Sequence, residues 1–341
     1  MNLAESLGLR PRPYRILTID GGGVRGIIPV IWLERLEQHL ETPVQKSFDL
    51  LAGTSVGAIL ACAFSFGLSA AKVKVLLSQA ANTAFARPVT WRDHARRLAF
   101  RSGIGAKYDS AGLIAMLKEH FGEATMGELT RPTLALSYNA ETMRVQVFSS
   151  EHPEHVHLPI WEVCRASSAA PLFFDPHMMV VDESGRKYPM VDGGVTANNP
   201  VVVALSEAVQ SARQAHRQHS ADHVVVASFG TGEPTEGSRT VPKTIFGHGS
   251  VMLRAMLTGA TGTDHVTAQT FLPAHNYWRF QTSIPARLEP LDGVENIDEL
   301  QAIALAYLGD GLNLRLLQLS RRLRGLPLEP RWWEQKRAAV A

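Results

Sequence analysis

The sequence predicts an α/β protein built on a largely parallel sheet. Three observations carry that expectation. Short apolar runs end in glycine-rich turns, at Asp20–Gly23 and again at Gly53–Gly57. Each turn opens into a stretch whose apolar residues recur at helical spacing. This strand, turn, helix order continues along the chain, as parallel crossovers require.

Tyr14 to Ile19 (YRILTI) reads as a buried strand entering a tight turn. From Gly26 to Leu40, the residues Ile27, Val30, Ile31, Leu33, Leu36 and Leu40 trace a helix, with Pro29 tolerated in its first turn. Phe48 to Ala52 is a second strand, followed after Gly53-Thr54-Ser55-Val56-Gly57 by a small apolar helix. Asp109-Ser110 opens a helix through His120, and Thr133–Tyr138 and Arg144–Ser149 read as strands. Asn198-Asn199-Pro200 starts a helix to about Ala215, with proline at its first position. His223 to Phe229 is a buried strand and Asn276 to Gln281 a late one. Asp298 to Leu323 carries closing amphipathic helices. Gly232 to Gly249, rich in Gly, Pro, Ser and Thr, reads as a flexible lid or insertion rather than a linker.

Composition narrows the function. With 45% hydrophobic and 19% charged residues, the 341-residue chain is no disordered segment and has the length to bury a large core. Its 34 Lys+Arg and 32 Asp+Glu leave a formal charge of +2, so recognition of DNA or RNA is not expected. The only cysteines, Cys62 and Cys164, exclude a disulfide framework and a cysteine-based zinc site. The N-terminus lacks an apolar targeting segment. Val56 to Ala71, the greasiest stretch, is too short and too interrupted to span a bilayer. A cytoplasmic protein follows, with any membrane contact peripheral.

Gly53-Thr54-Ser55-Val56-Gly57 is a G-x-S-x-G between a strand and a helix, the context of a nucleophile elbow. A sharp turn there projects the Ser55 hydroxyl, and the following helix N-terminus favours developing negative charge. A capped βα loop is the plainer alternative. Gly21-Gly22-Gly23-Val24-Arg25-Gly26 also fits a dinucleotide fingerprint. However, the acid expected about 20 residues on has only Glu37 and Glu41 as candidates, both at a helix end. The same loop could serve as an oxyanion hole, its bare amides facing an ester oxygen and Arg25 adding positive field. Asp192-Gly193-Gly194 alone is more often a turn. A Ser-His-Asp hydrolase would need a late histidine, but His248, His265 and His275 lack a glycine-framed setting. The sequence offers no H-E-x-x-H or Cys/His cluster for a metal.

Taken in order, Asp20-Gly-Gly-Gly-Val-Arg-Gly26, Gly53-Thr-Ser-Val-Gly57 and Asp192-Gly-Gly194 resemble the patatin-like phospholipase family. Ala166-Ser-Ser-Ala-Ala-Pro171 with Phe173-Phe174, Ala197-Asn-Asn-Pro200 and Ser228-Phe-Gly-Thr-Gly232 agree with it, and the likeness covers Tyr14 to Phe280. The resemblance implies a three-layer α/β/α fold over residues 12–325, a lid or regulatory insertion around 232–276 and a tail at 326–341. It further implies calcium-independent cleavage of phospholipid acyl esters by a Ser55–Asp192 dyad without histidine. Gly21, Gly22, Gly23 and Arg25 would form the oxyanion loop, with no cofactor.

Such an enzyme would work at the inner membrane surface. Arg87 to Lys107, with Trp91 and Phe100, is one candidate contact, and Arg321-Arg322-Leu323-Arg324 with Trp332-Trp333 is another; solvated faces are the plainer reading. Compact bacterial members of the family include antiphage phospholipases switched on by cyclic di- or oligonucleotides. By that likeness Gly232–Asn276 and part of Arg87–Lys107 would form a nucleotide pocket, with Arg239, Lys243, Arg254, Tyr277 and Trp278 as candidates. A storage-type relative is the non-catalytic alternative, and the oligomeric state, a homo-oligomer included, is left open.

Overall fold

The computed structural model describes residues 12–85, 90–101, 105–214, 221–235, 245–326 and 328. In chain order the strands are β1 (Tyr14–Ile19), β2 (Leu50–Thr54), β3 (Thr133–Asn139), β4 (Arg144–Ser149), β5 (His177–Val180), β6 (Lys187–Asp192), β7 (Val224–Phe229), β8 (Glu233–Pro234), β9 (Tyr277–Phe280) and β10 (Ser283–Ile284). The main helices are α1 (Ile27–Leu40), α2 (Val56–Ser65), α3 (Ala70–Ala84), α4 (Trp91–Arg101), α5 (Ala111–Phe121), α6 (Ile160–Ser167), α7 (Val201–Gln214), α8 (Ile245–Phe271), α9 (Ile297–Tyr307) and α10 (Asn313–Leu323).

The sheet runs β5-β6-β3-β2-β1-β7-β9, with β4 also on β3. Strands β3, β2, β1, β7 and β9 pair in parallel, and β4, β5 and β6 are antiparallel additions. Both faces of the parallel core are covered. Leu17, Ile19 and Leu51 point into the larger core beneath α1, α2, α3, α5 and α6. Their sequence neighbours Ile16, Leu50 and Ala52 point the other way, against Val201, Ala204 and Ala208 of α7 and Ala268 of α8. This is the expected three-layer α/β/α arrangement.

One register detail places the site. Along a single edge of β3, β2 occupies Thr133 to Leu136 and β6 occupies Ser137 to Asn139, because β4 fills the opposite edge. Thr54 therefore pairs with Leu136, and Asp192 pairs with Ser137, the next residue. The end of β2 and the end of β6 meet head to head, so the residue after Thr54 comes out beside Asp192.

The expected strands and helices are found with small shifts at their ends; β2 begins two residues later than anticipated and runs up to the serine. The main correction concerns the expected flexible stretch. Residues 236–244 lie outside the described ones, but 245–249 open α8, a helix of 27 residues. Its glycines and threonines argue against a helix by propensity. Packing offsets this, since Leu253 and Ala268 are buried against the fold, while threonine hydroxyls satisfy themselves one turn back (Thr258 to Arg254, Thr261 to Leu257, Thr267 to Thr263). Of the expected tail, only 326 and 328 are described. Among the described residues, no helix is long and apolar enough to cross a membrane.

Candidate active site

Ser55 sits between β2 and α2 with φ 57 and ψ −126, a conformation that L residues rarely adopt. The two flanking glycines make that turn sterically feasible. A Cβ on Gly57 would run into the Ile19 carbonyl, and one on Gly53 into the Gly57 carbonyl. The strained turn is held from behind, because the Ser55 N–H donates to Ser167 Oγ at 2.9 Å and Ser167 donates in turn to the Leu136 carbonyl. Strain of this kind survives only where the surroundings fix it, and it clusters at functional sites.

The Ser55 hydroxyl lies beside the Asp192 carboxylate, and both line the small space over the elbow. Asp192 is buried, and its Oδ1 also accepts the Gly194 N–H at 2.8 Å. Burial pushes its pKa up to about 6, against the lowering effect of the nearby Ser55 hydroxyl, the Gly194 N–H and the Arg165 guanidinium. The carboxylate is thus ionised at neutral pH and more basic than a free aspartate. Among the described residues, no histidine lines any of the three cavities that border this region.

Of the four expected oxyanion-loop residues, the structure separates two from the other two. The Gly21 N–H is taken by the Asn198 carbonyl at 3.1 Å, and the Arg25 N–H by the Gly22 carbonyl at 3.1 Å. Gly22 and Gly23 keep N–H groups with no hydrogen bond among the described residues, and both border the spaces that reach Ser55. Gly23 has φ +56, and any Cβ there would strike the Leu291 carbonyl. Gly21 and Arg25 therefore shape the loop rather than offering it a donor. The Arg25 guanidinium spans the loop, donating to the carbonyls of Gly22 (3.3 Å) and Gly232 (3.2 Å).

The dinucleotide reading of this loop loses its acidic partner. Glu37 caps the backbone N–H groups of Val44 and Ala70, and Glu41 closes α1 in a left-handed conformation. Both acids serve the fold.

An apolar channel lined by Val56, Ile59, Leu77, Phe85 and Phe174 leads to Ser55. Its volume is about 60 Å³, roughly two waters' worth and far short of a fatty acyl chain. A larger cavity of about 510 Å³ opens on the other side, with Arg25, Phe100, Lys107, Arg254, Glu289 and Asp292 on its wall. It takes in part of the expected nucleotide pocket: Arg254 from Gly232–Asn276, and Phe100 and Lys107 from the basic stretch. Tyr277 and Trp278 are buried in the sheet and offer no stacking surface. Arg239, Lys243, Trp332 and Trp333 lie outside the described residues.

Three features escaped sequence reasoning. Arg165, buried on α6, donates to the Asp175 carbonyl and lies behind Asp192. Asp20 and Arg279 form a buried two-pronged ion pair between β1 and β9. Asn198 donates to Thr261 Oγ1 and carries a buried Oδ1 with no partner among the described residues, on the wall beside Ser55 and Asp192. Asp20 and Asn198 had a signal, in the motif and the flanking phrase quoted for the resemblance; Arg165 and Arg279 had none.

The family model for patatin-like phospholipases matches residues 17–205. The chain belongs to this family. Its three ordered motifs all fall inside the match. Among relatives, a cGAMP-activated phospholipase of Pseudomonas aeruginosa (strain BWHPSA011 / Pa011) is 32% identical over 198 residues, covering 57% of this chain and 56% of the relative. A cGAMP-activated phospholipase of Vibrio cholerae is 30% identical over 232 residues, 64% of each chain. Patatin group M-3 of Solanum tuberosum is 28% identical over 249 residues, 66% of this chain and 62% of that one. The patatin-like chain thus matches less than two thirds of the length of each of these relatives.

Proposed function

We propose that the protein is a calcium-independent serine acyl hydrolase of phospholipase A type, with Ser55 as nucleophile and Asp192 as its base. The observation that carries this reading is the meeting of Ser55, on a strained elbow, with the buried Asp192 carboxylate in one small space, beside two amides that have no hydrogen bond among the described residues. Asp192 accepts the Ser55 proton as Oγ attacks the acyl carbonyl. The oxyanion develops against the Gly22 and Gly23 N–H groups and the N-terminus of α2. The lysophospholipid leaves with a proton returned from Asp192. A water then attacks the acyl carbon as it gives a proton to the same carboxylate; the bond from Ser55 Oγ to the acyl group breaks, Asp192 returns the proton to Oγ, and the fatty acid is released. Asn198 Oδ1, buried without a partner beside both residues, offers that water an acceptor.

Membrane contact is best supplied by the rim of the larger cavity. Leu98 of α4 and Met252 and Met256 of α8 are exposed on the two helices that also give Phe100, Leu253 and Leu257 to its wall. The two bacterial relatives named as cGAMP-activated support a further element, activation by a cyclic di- or oligonucleotide. The test is fatty-acid release from phosphatidylglycerol vesicles, with and without cGAMP and with a calcium chelator present throughout. Ser55→Ala and Asp192→Asn should each lower the rate by roughly 10³-fold or more while leaving the thermal midpoint near that of the parent. Full activity in Asp192→Asn would defeat the dyad.

A further inference from the structure

Asn198 is pinned by its backbone between the two motifs that build the site. The Gly21 N–H donates to its carbonyl at 3.1 Å, and Thr54 Oγ1 donates to the preceding Ala197 carbonyl at 2.7 Å. Its side chain is buried, 6% exposed, and reaches the small space over Ser55 and Asp192. A Cβ on Gly194 would lie 3.0 Å from Asp192 Oδ1 and 3.1 Å from Asn198 Oδ1, so the two oxygens face a common space. One on Gly21 would strike Asn198 Oδ1 and press on Ser55 Cβ.

Thr261 decides which end of the amide faces that space. Its hydroxyl carries one proton, which it gives to the Leu257 carbonyl at 2.7 Å. Oγ1 can therefore only accept from Asn198, so the NH2 group turns to Thr261 at 2.9 Å and the amide oxygen to the dyad. Thr261 is itself buried on α8, which the packing of Leu253 and Ala268 and the Arg254–Glu289 ion pair hold against the fold. Asn198 Oδ1 is left with no hydrogen bond among the described residues. Around it the wall is closed by Ala170, Val195, Leu253, Leu257 and Leu291, whose side chains have no donor to give.

We infer that Asn198 makes water the preferred acyl acceptor, with Thr261 as the positioning residue that aims its amide oxygen. The inference rests on the hydrolase reading, since it concerns the second half of that reaction. Once Ser55 Oγ is acylated it has no proton left, and a buried acceptor needs its donor from elsewhere. Water has two protons. One goes to Asp192 as the water oxygen bonds to the acyl carbon, and the other stays on that oxygen and bonds to Asn198 Oδ1. The bond from Oγ to the acyl carbon then breaks, and Asp192 returns its proton to Oγ. An alcohol has a single hydroxyl proton, which Asp192 takes. Its alkyl group then faces Oδ1 and leaves that oxygen unsatisfied. Acyl transfer to an alcohol is thereby disfavoured against hydrolysis.

The test is how one acyl-enzyme divides between two acceptors. The full chain turns over p-nitrophenyl butyrate in water containing methanol, and butyric acid and methyl butyrate are quantified by chromatography. Both products arise after acylation, so a smaller folded fraction or a slower first step leaves their ratio unchanged. Asn198→Ala should raise the ester-to-acid ratio about tenfold over the parent. Thr261→Val keeps the volume but cannot accept the amide N–H, and should raise the ratio by a similar factor. Thr261→Ser should restore the parent ratio.

A ratio that Asn198→Ala leaves at the parent value overturns the inference and spares the hydrolase reading. If Asn198→Ala moves the ratio but Thr261→Val does not, or if Thr261→Ser behaves as Thr261→Val, the role given to Thr261 is overturned. A parent that forms neither product, or forms them equally well as Ser55→Ala, overturns the hydrolase reading itself and this inference with it.

Discussion

Ser55, Asp192 and the glycine loop lie within residues 17–205, the span the family model matches, whereas Leu253, Leu257 and Leu291, which close over them, come later in the chain. The two regions are built differently. The first is held by backbone: strand register, tight glycine contacts and amides with fixed partners. The second is held by side chains, through ion pairs, threonine back-bonds and leucines packed on a helix. The chemistry is thus placed by elements with little freedom to move, and access is placed by elements that can. Binding sites and lids commonly divide in this way, with the mobile part drawn from the less stable structure.

Besides the β1–β7 ladder, a buried side-chain tie between the regions is the Asp20–Arg279 pair, with Nη1 to Oδ1 at 2.9 Å and both residues buried. Arg279→Met strands the Asp20 charge and should cost about 3–5 kcal/mol in denaturant unfolding. Adding Asp20→Asn should recover much of that loss. Equal midpoints for the parent and Arg279→Met would mean that the pair does not couple the two parts.

The same division explains what the sequence made legible. The strands and the three motifs were readable because each is a local pattern: an apolar run, a glycine turn, a hydroxyl or carboxylate in a fixed frame. The pairing of Ser55 with Asp192 came from family resemblance, and its physical cause, β2 and β6 sharing one edge of β3, is a tertiary fact that no spacing encodes. The fates of the loop amides depended on Asn198 and on Gly22's own carbonyl, so Gly21 and Arg25 could not be told from Gly22 and Gly23 in advance. Helix α8 was missed because its glycines and threonines weigh against helix, while burial of Leu253 and Ala268 weighs for it. Leu291 has no motif at all, and its role arises from position alone.

Acidity offers a finer probe of the rigid region. Asp192 must be ionised to accept the serine proton, and burial holds its pKa at about 6. Hydrolysis should be flat above that pH and fall about tenfold per unit below it. Stability should run the other way. The folded state binds this proton more tightly than the unfolded chain, whose aspartate titrates near 3.8, so Asp192 lowers stability as pH rises from about 4 to about 6. Asp264 on α8, pushed up to about 7 by burial and the nearby Asp20 charge, is a second carboxylate brought into this range. Asp264→Asn should leave the limb near pH 6 in place. A limb that moves with Asp264→Asn would assign it to the covering helix instead.

The smallest expected effect lies in α8 itself. At Gly57 an added Cβ meets backbone, so that glycine is required by the turn; at Gly259 an added Cβ meets nothing within 4 Å, in the middle of a helix. Gly259→Ala should therefore stabilise the protein by about 0.5–1 kcal/mol through helix propensity alone. Its value lies in what it does to rate. If α8 is a passive cover, thermal midpoint rises and lipid hydrolysis is unchanged. If access to Ser55 needs this helix to bend or shift, the stiffer helix slows turnover while the Asp192 titration near pH 6 stays where it was. Measuring midpoint, rate and pH profile on this one variant separates the region that does the chemistry from the region that admits the substrate.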